Sequence, residues 1–293
     1  MNKFCIQIVL FLLSISVCVN TKSIVANLDP TKDTESKSTK CYSTNDDSDE
    51  IYEKNKHLLC INPEETINAE KLMNDAVSKL EYHATSRYGY IFDGEYRPYN
   101  MLFYKKKYRN HTVVEKVEYT INDPNKYNEL IKRFWDPDSN NFLYERSDKR
   151  KIVRVYSPNL VIIQQRWKKW PWSREKYFYV LAAKFEISEN KTIIVMTSAN
   201  INDHNSKNKK PFENTLIKSA NLFKTDIDSE DDIRNGKLKK MCVNIMGCII
   251  EKKNKHVDIT YVESIGRHLP KCFFAYYLFM SFNIKMYLYI LIL

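Results

Sequence analysis

Apolar positions along the chain recur first at helical spacing and then at strand spacing. Ala69, Leu72, Met73, Ala76, Val77, Leu80 and Ala84 follow one another at threes and fours, the stripe of an amphipathic helix. Asn62 is placed to cap that helix, Pro63 suits its first turn, and Glu65 completes an N-x-x-E capping pattern. "MLFYKKKY" (101–108) and "TVVEKVEYTI" (112–121) are rich in aromatic and β-branched residues, and Arg109-Asn110-His111 between them predicts a hairpin. Tyr127, Leu130, Ile131 and Phe134 predict a second helix, opening at Asp123-Pro124 and ending at Asp136-Pro137. Six further strands are expected, at 151–156, 160–168, 176–187, 192–199, 241–251 and 257–263. Ser157-Pro158-Asn159 and Ser188-Glu189-Asn190 are the turns, and such short connections pair neighbours antiparallel. The order of elements therefore predicts an α+β fold, a large antiparallel sheet with helices to cover it.

One strand stands out within this pattern. In "KKWPWSREKYFYVLAAKFEIS" (168–188), Tyr177, Tyr179, Leu181, Ala183, Phe185 and Ile187 share one parity, while Lys176, Lys184 and Glu186 share the other. The expectation is that Tyr177 and Tyr179 point inward beside a tryptophan-rich turn, with Ala183 leaving room and Trp167 facing them from the preceding strand. Arg154 falls on the parity of Ile152 and Tyr156, where a charge needs a phosphate or a buried carboxylate. Met196 and Thr197 continue the wall on the following strand.

The ends of the chain differ from its middle. An apolar run from Phe4 to Val19 follows Lys3, and Ser16-Val17-Cys18 supplies small residues for cleavage, so residues 1–20 read as a signal peptide. Residues 21–50 are polar and without periodicity, a flexible linker ahead of a domain at 51–293. The segment 269–293 is apolar on nearly every side, an atypical close to that domain.

Composition narrows the function. The formal charge is +10, but the lysines are spread along the chain among Glu, Asp and Asn, which favours transient contact with anionic membrane surfaces over nucleic acid. Only 5 glycines are present, and neither GxGxxG nor GxxxxGK[ST] occurs, so no nucleotide cofactor is expected. No HExxH or GxSxG appears, and the 6 histidines lie scattered in polar stretches. "DIDSEDD" (226–232) lacks the glycine and closing glutamate of an EF-hand loop. Binding is therefore a better expectation than catalysis. Five cysteines remain after residue 20, an odd number without a CxxC; Cys41–Cys60 stays open as a pair.

These residues carry a resemblance. The helix–strand–helix–multistrand order resembles the START domain, a helix-grip fold whose curved antiparallel sheet encloses a ligand tunnel around a C-terminal helix. "PWSREKYFYV" (171–180) looks like the Ser-x-x-x-Tyr-x-Tyr segment of phosphatidylcholine-transfer START proteins, and "GRHLP" (266–270) is similar to the Gly-x-x-Ile-Pro that opens their lid helix. A longer likeness, over roughly 50–266, is to the fam-a exported proteins of malaria parasites. "NKHLLCINPEETINAEKLMNDAV", "VRVYSPNLVIIQQR" and "LFKTDIDSEDDIR" carry it. Two departures stand against the pattern: the extra Lys176 before the aromatic strand, and the uniformly apolar C-terminal segment in place of an amphipathic lid. The resemblance implies a secreted monomer, exported into the host cell or parasitophorous vacuole, that binds and transfers one phosphatidylcholine-like phospholipid without a cofactor. Arg154, Tyr156, Trp167, Tyr177, Tyr179, Met196 and Thr197 are the lipid-binding residues it points to. The alternative is a START-like scaffold with a decayed pocket that engages host proteins.

Overall fold

The structure is a computed structural model that describes residues 46–97, 100–108, 112–138, 149–168, 172–208 and 212–266, all within the compact unit Asn45–Leu293. The signal peptide, Cys41, most of the linker, and the segment from Arg267 onward lie outside the described residues.

Helix α1, Asp46–Asn55, begins inside the stretch expected to be linker. Lys54 in its last turn suits the helix dipole, and Ile51 and Tyr52 pack against the core, so tertiary contact outweighs the polar composition. Helix α2, Pro63–Thr85, starts where expected: the Asn62 side chain accepts from the backbone N–H of Glu64 and of Glu65. Glu65 does not complete a capping box. Its carboxylate is taken by Arg154, Tyr156 and Thr225. Strand β1 (Ile91–Tyr96) escaped the sequence pattern because it is an edge strand with an almost wholly exposed surface and shows little alternation.

β2 (Met101–Lys107) and β3 (Val113–Ile121) form the expected hairpin, and α3 (Tyr127–Trp135) follows a 3-10 turn at Pro124–Lys126. β4 (Lys149–Ser157), β5 (Leu160–Trp167), β6 (Lys176–Ser188) and β7 (Lys191–Thr197) run as a meander. After the parallel pair β8 (Asn200–Asn202) and β9 (Lys224–Asp226) and the short helix α4 (Asp231–Arg234), β10 (Lys239–Lys240) leads into the hairpin β11 (Val243–Lys252) and β12 (Val257–Ile265). That hairpin is the keystone of the sheet. β11 pairs with β7 and β12 with β3, which gives the order β1-β2-β3-β12-β11-β7-β6-β5-β4, with β10 alongside the start of β6.

The central strands are apolar on both faces. On β6, Tyr177, Tyr179, Leu181 and Ala183 join one core, and Phe178, Val180 and Ala182 join another. This corrects the one-sided reading of that strand. The face here named outer packs against α2 through Ala69, Leu72, Met73, Ala76 and Leu80. Each Leu or Met so buried stabilises by about 1.5–3 kcal/mol. The opposite, inner face carries Tyr127, Leu130, Phe134 and Trp135 of α3.

Two buried lysines hold the C-terminal end of α2. Lys116, 2% exposed, donates to the carbonyls of Ala84 (3.3 Å) and Ser86 (3.2 Å), which an α-helix leaves unbonded at its end. Lys106 donates to Tyr88 O (3.0 Å) and lies 5.2–5.7 Å from the ring centroids of Tyr82, Tyr88, Tyr90 and Tyr108. Burial, with the two lysines and Lys79 nearby, pushes His83 down to about 4, so its ring is neutral when it bonds Tyr90 Oη at 2.9 Å.

Gly247 sits where β11 crosses closest to β7. A Cβ there would lie 2.2 Å from the backbone oxygen of Ile194. Gly247→Ala is expected to lower unfolding stability by about 1–3 kcal/mol in a urea titration, through backbone displacement in the sheet centre. An unchanged midpoint would show that the sheet yields there freely.

Candidate functional site

Strand alternation sends Val161, Ile163 and Trp167 of β5 to the inner face with Phe178, Val180 and Ala182 of β6 and Met196 of β7. Trp167 meets the Phe178 ring edge-on, with centroids 5.4 Å apart. Tyr119, Tyr261, Phe134 and Trp135 belong to the same face. Two polar atoms stand out in this aromatic surrounding. Tyr119 Oη and Trp135 Nε1 are buried and have no hydrogen-bond partner among the described residues. Burial pushes the Tyr119 hydroxyl far above its ordinary value, so it stays an O–H donor. Burial likewise keeps the Cys248 thiol protonated, which removes it as a nucleophile. An unpaired donor in a dry interior costs about 1–3 kcal/mol. The inner face thus combines aromatic rings with two donors that no described residue satisfies.

The structure divides the residues predicted as one site. Trp167 and Met196 lie on the inner face. Tyr156, Tyr177 and Tyr179 lie on the outer one, so Trp167 does not face the tyrosines. Tyr177 donates to Asp203 (2.8 Å), and Tyr179 Oη bonds the Gln164 amide (2.7 Å), each within the outer layer. Thr197 bonds Asn244 O (2.9 Å) and the Asn214 amide (3.0 Å). Arg154 is displaced from the parity of Ile152 by a register shift between the two residues. Its guanidinium donates to Glu65 (2.7 Å), Thr225 (2.9 Å) and Asp226 O (2.6 Å). Of the two partners expected for Arg154, a carboxylate is the one present. The inner-face donors Tyr119 and Trp135 were missed because nothing in the sequence marks a polar atom that folding leaves unpaired.

The outer contacts form two ionic clasps. Glu65 binds Arg154 and Tyr156 at the start of α2. Farther along, Glu230 accepts from Gln164 (2.8 Å) and Lys151 (2.5 Å), while Arg166 pairs with Glu175 and Asp232. Two carboxylates of the "DIDSEDD" run, Glu230 and Asp232, are thereby committed to the sheet, and no cluster of metal-ligating side chains occurs among the described residues. Nor is any helix among them long and apolar enough to cross a membrane. Cys60 has no disulfide partner among the described residues.

No family model matches the chain, and no curated protein matches it. Solved structures do. Human StAR-related lipid transfer protein 5 superposes with a TM-score of 0.51 at 10% identity, over 74% of this chain and 93% of that one. Human STARD10 superposes at 0.48 and 11% identity, over 73% and 76%. The fold is therefore the helix-grip fold of StAR-related lipid transfer domains, as the sequence order implied.

Burial raises the Glu65 carboxyl, but hydrogen bonds from Tyr156, Thr225 and Arg154 outweigh it and hold Glu65 below its ordinary value. Burial opposes, and Lys151 and Gln164 similarly lower, Glu230. A lowered carboxyl stabilises fully above its unfolded-state value and loses that contribution as pH falls through the folded one. Glu65→Gln is expected to cost about 1 kcal/mol at neutral pH, the pair being partly solvent-screened. The deficit against the wild type should shrink as pH falls through the acid limb of urea midpoints. A deficit that stays constant with pH would refute the ionic account.

Proposed function

We propose that the protein is a non-enzymatic carrier that binds one phospholipid against the inner face of its sheet and transfers it between membranes. The observation that carries this reading is the pair of buried donors, Tyr119 Oη and Trp135 Nε1, without a partner among the described residues on an aromatic face. A phosphate or ester oxygen of a lipid would satisfy them. Enclosing acyl chains would stabilise by about 0.8 kcal/mol per methylene. The rings of Trp167, Phe178, Tyr119 and Tyr261 suit a quaternary ammonium, which makes phosphatidylcholine the favoured cargo. Trp167 and Met196 keep a lipid-binding role in this reading. Arg154, Tyr156, Tyr177, Tyr179 and Thr197 serve instead to hold the outer layer. The fold of the lipid transfer domains supports the reading at the level of architecture.

We infer further that the chain is a fam-a-type protein that is secreted and exported, on the strength of the residue stretches that resemble that family and of the N-terminal apolar run. A tagged full-length chain that stays inside a secreting cell would argue against this.

The test of the carrier reading is native mass spectrometry on full-length protein purified from a lipid-rich host. One phospholipid per chain is expected. Tyr119→Phe deletes only the hydroxyl that no described residue satisfies. It should lower lipid retention about fivefold, yet leave the delipidated protein as stable or more so, because an orphaned donor is removed. Tyr177→Phe should leave retention unchanged. A folded monomer that is empty would overturn the carrier and favour the scaffold that engages host proteins.

A further inference from the structure

A cavity of about 410 Å³ opens at the end of the sheet where β6 and β10 begin, lined by Arg174, Lys207, Lys239 and Lys240 with the amides of Asn205 and Asn208. No acidic side chain lines it among the described residues. Lys240 is partly neutralised, donating to Asp203 (2.9 Å) and Ile201 O (2.8 Å). The ammonium groups of Lys207 and Lys239 have no carboxylate partner among the described residues. The wall is also rigid. Arg174 donates to three successive carbonyls, Gly236 (2.6 Å), Lys237 (2.9 Å) and Leu238 (3.0 Å). Gly236, at φ +62°, lies against the Lys207 stem so closely that a Cβ would fall 2.6 Å from its Cγ. A cavity in which Arg174, Lys207 and Lys239 outnumber the single carboxylate paired with Lys240 calls for an anion.

Two residues before Arg174, Trp172 is 83% exposed. An exposed indole two residues from a side chain that lines a cationic cavity matches a membrane interface, where a ring enters the headgroup layer while ammonium groups meet phosphate. It does not match capture of free phosphate, which has no use for the ring. We propose that this cavity is a second binding site, separate from the inner face, that takes the phosphate group of an anionic phospholipid presented by a membrane surface. The inference rests on the carrier reading for its partner and locates the contact through which the protein would dock.

The test is flotation of the full-length protein with vesicles of phosphatidylcholine alone or mixed with phosphatidylserine. Binding is expected with the anionic vesicles, with loss at about 0.5 M salt. Lys207→Glu with Lys239→Glu should reduce it on the order of tenfold or more, while Trp172→Ala lowers it less. Retained cargo in the double variant, by native mass spectrometry, would show an intact fold. Equal flotation on both vesicle types, or an undiminished double variant, would overturn the site. So would calorimetric binding of inorganic phosphate by a protein that never floats. A protein that floats on anionic vesicles but carries no lipid would count against the carrier reading alone.

Discussion

A sheet that buries both faces needs a layer on each, and this requirement organises the molecule. β5, β6, β7 and β11 are apolar at odd and even positions alike over most of their length. The outer layer is α2 together with the long excursion between β7 and β11, whose Ile217, Phe223, Ile227 and Ile233 share one core with the helix. The excursion has little secondary structure of its own. Side chains that cross the layer boundary hold both parts down: Arg154 and Tyr156 at Glu65 of the helix, Arg154 also at Thr225 of the excursion, Gln164 and Lys151 at Glu230, Arg166 at Asp232. Charge is spent on the outer side to fix a cover. The inner side keeps aromatic surface and two donors unpaired among the described residues.

This division explains why the architecture was legible in the sequence and the site was not. The α2 stripe, the hairpin at Met101–Ile121 and the strand turns are local patterns, and local patterns survive folding. The face to which a residue points is a different matter. Tyr177 and Tyr179 looked inward because their parity was the more apolar, but Phe178, Val180 and Ala182 make the other parity apolar as well. Periodicity cannot choose between two buried faces; only the position of α2 does. A register shift in β4 moved Arg154 off the parity of Ile152, and single-residue shifts of that kind leave no mark in a sequence. The same limit applied to α1, whose polar composition concealed a docking turn.

The two surfaces also divide the chemistry. Hydroxyls of Tyr177 and Tyr179 are occupied by Asp203 and Gln164, so the outer tyrosines work as struts. The Tyr119 hydroxyl, equally shielded from water, has no such partner among the described residues. Residue identity alone therefore says little about whether a tyrosine binds a guest. Whether its oxygen already has a protein partner says a great deal.

The lysines at 105–107 bear on how charge is counted. Along a strand, neighbours point to opposite sides, and here the middle member is enclosed by four tyrosine rings while Lys105 pairs with Asp93. Three consecutive positive residues thus expose one uncommitted charge to the solvent side of β2. A basic tripeptide on a β-strand is not a basic patch. The patch that does arise, around Arg174, Lys207, Lys239 and Lys240, gathers residues up to 66 positions apart (174 to 240) that no sliding window would join.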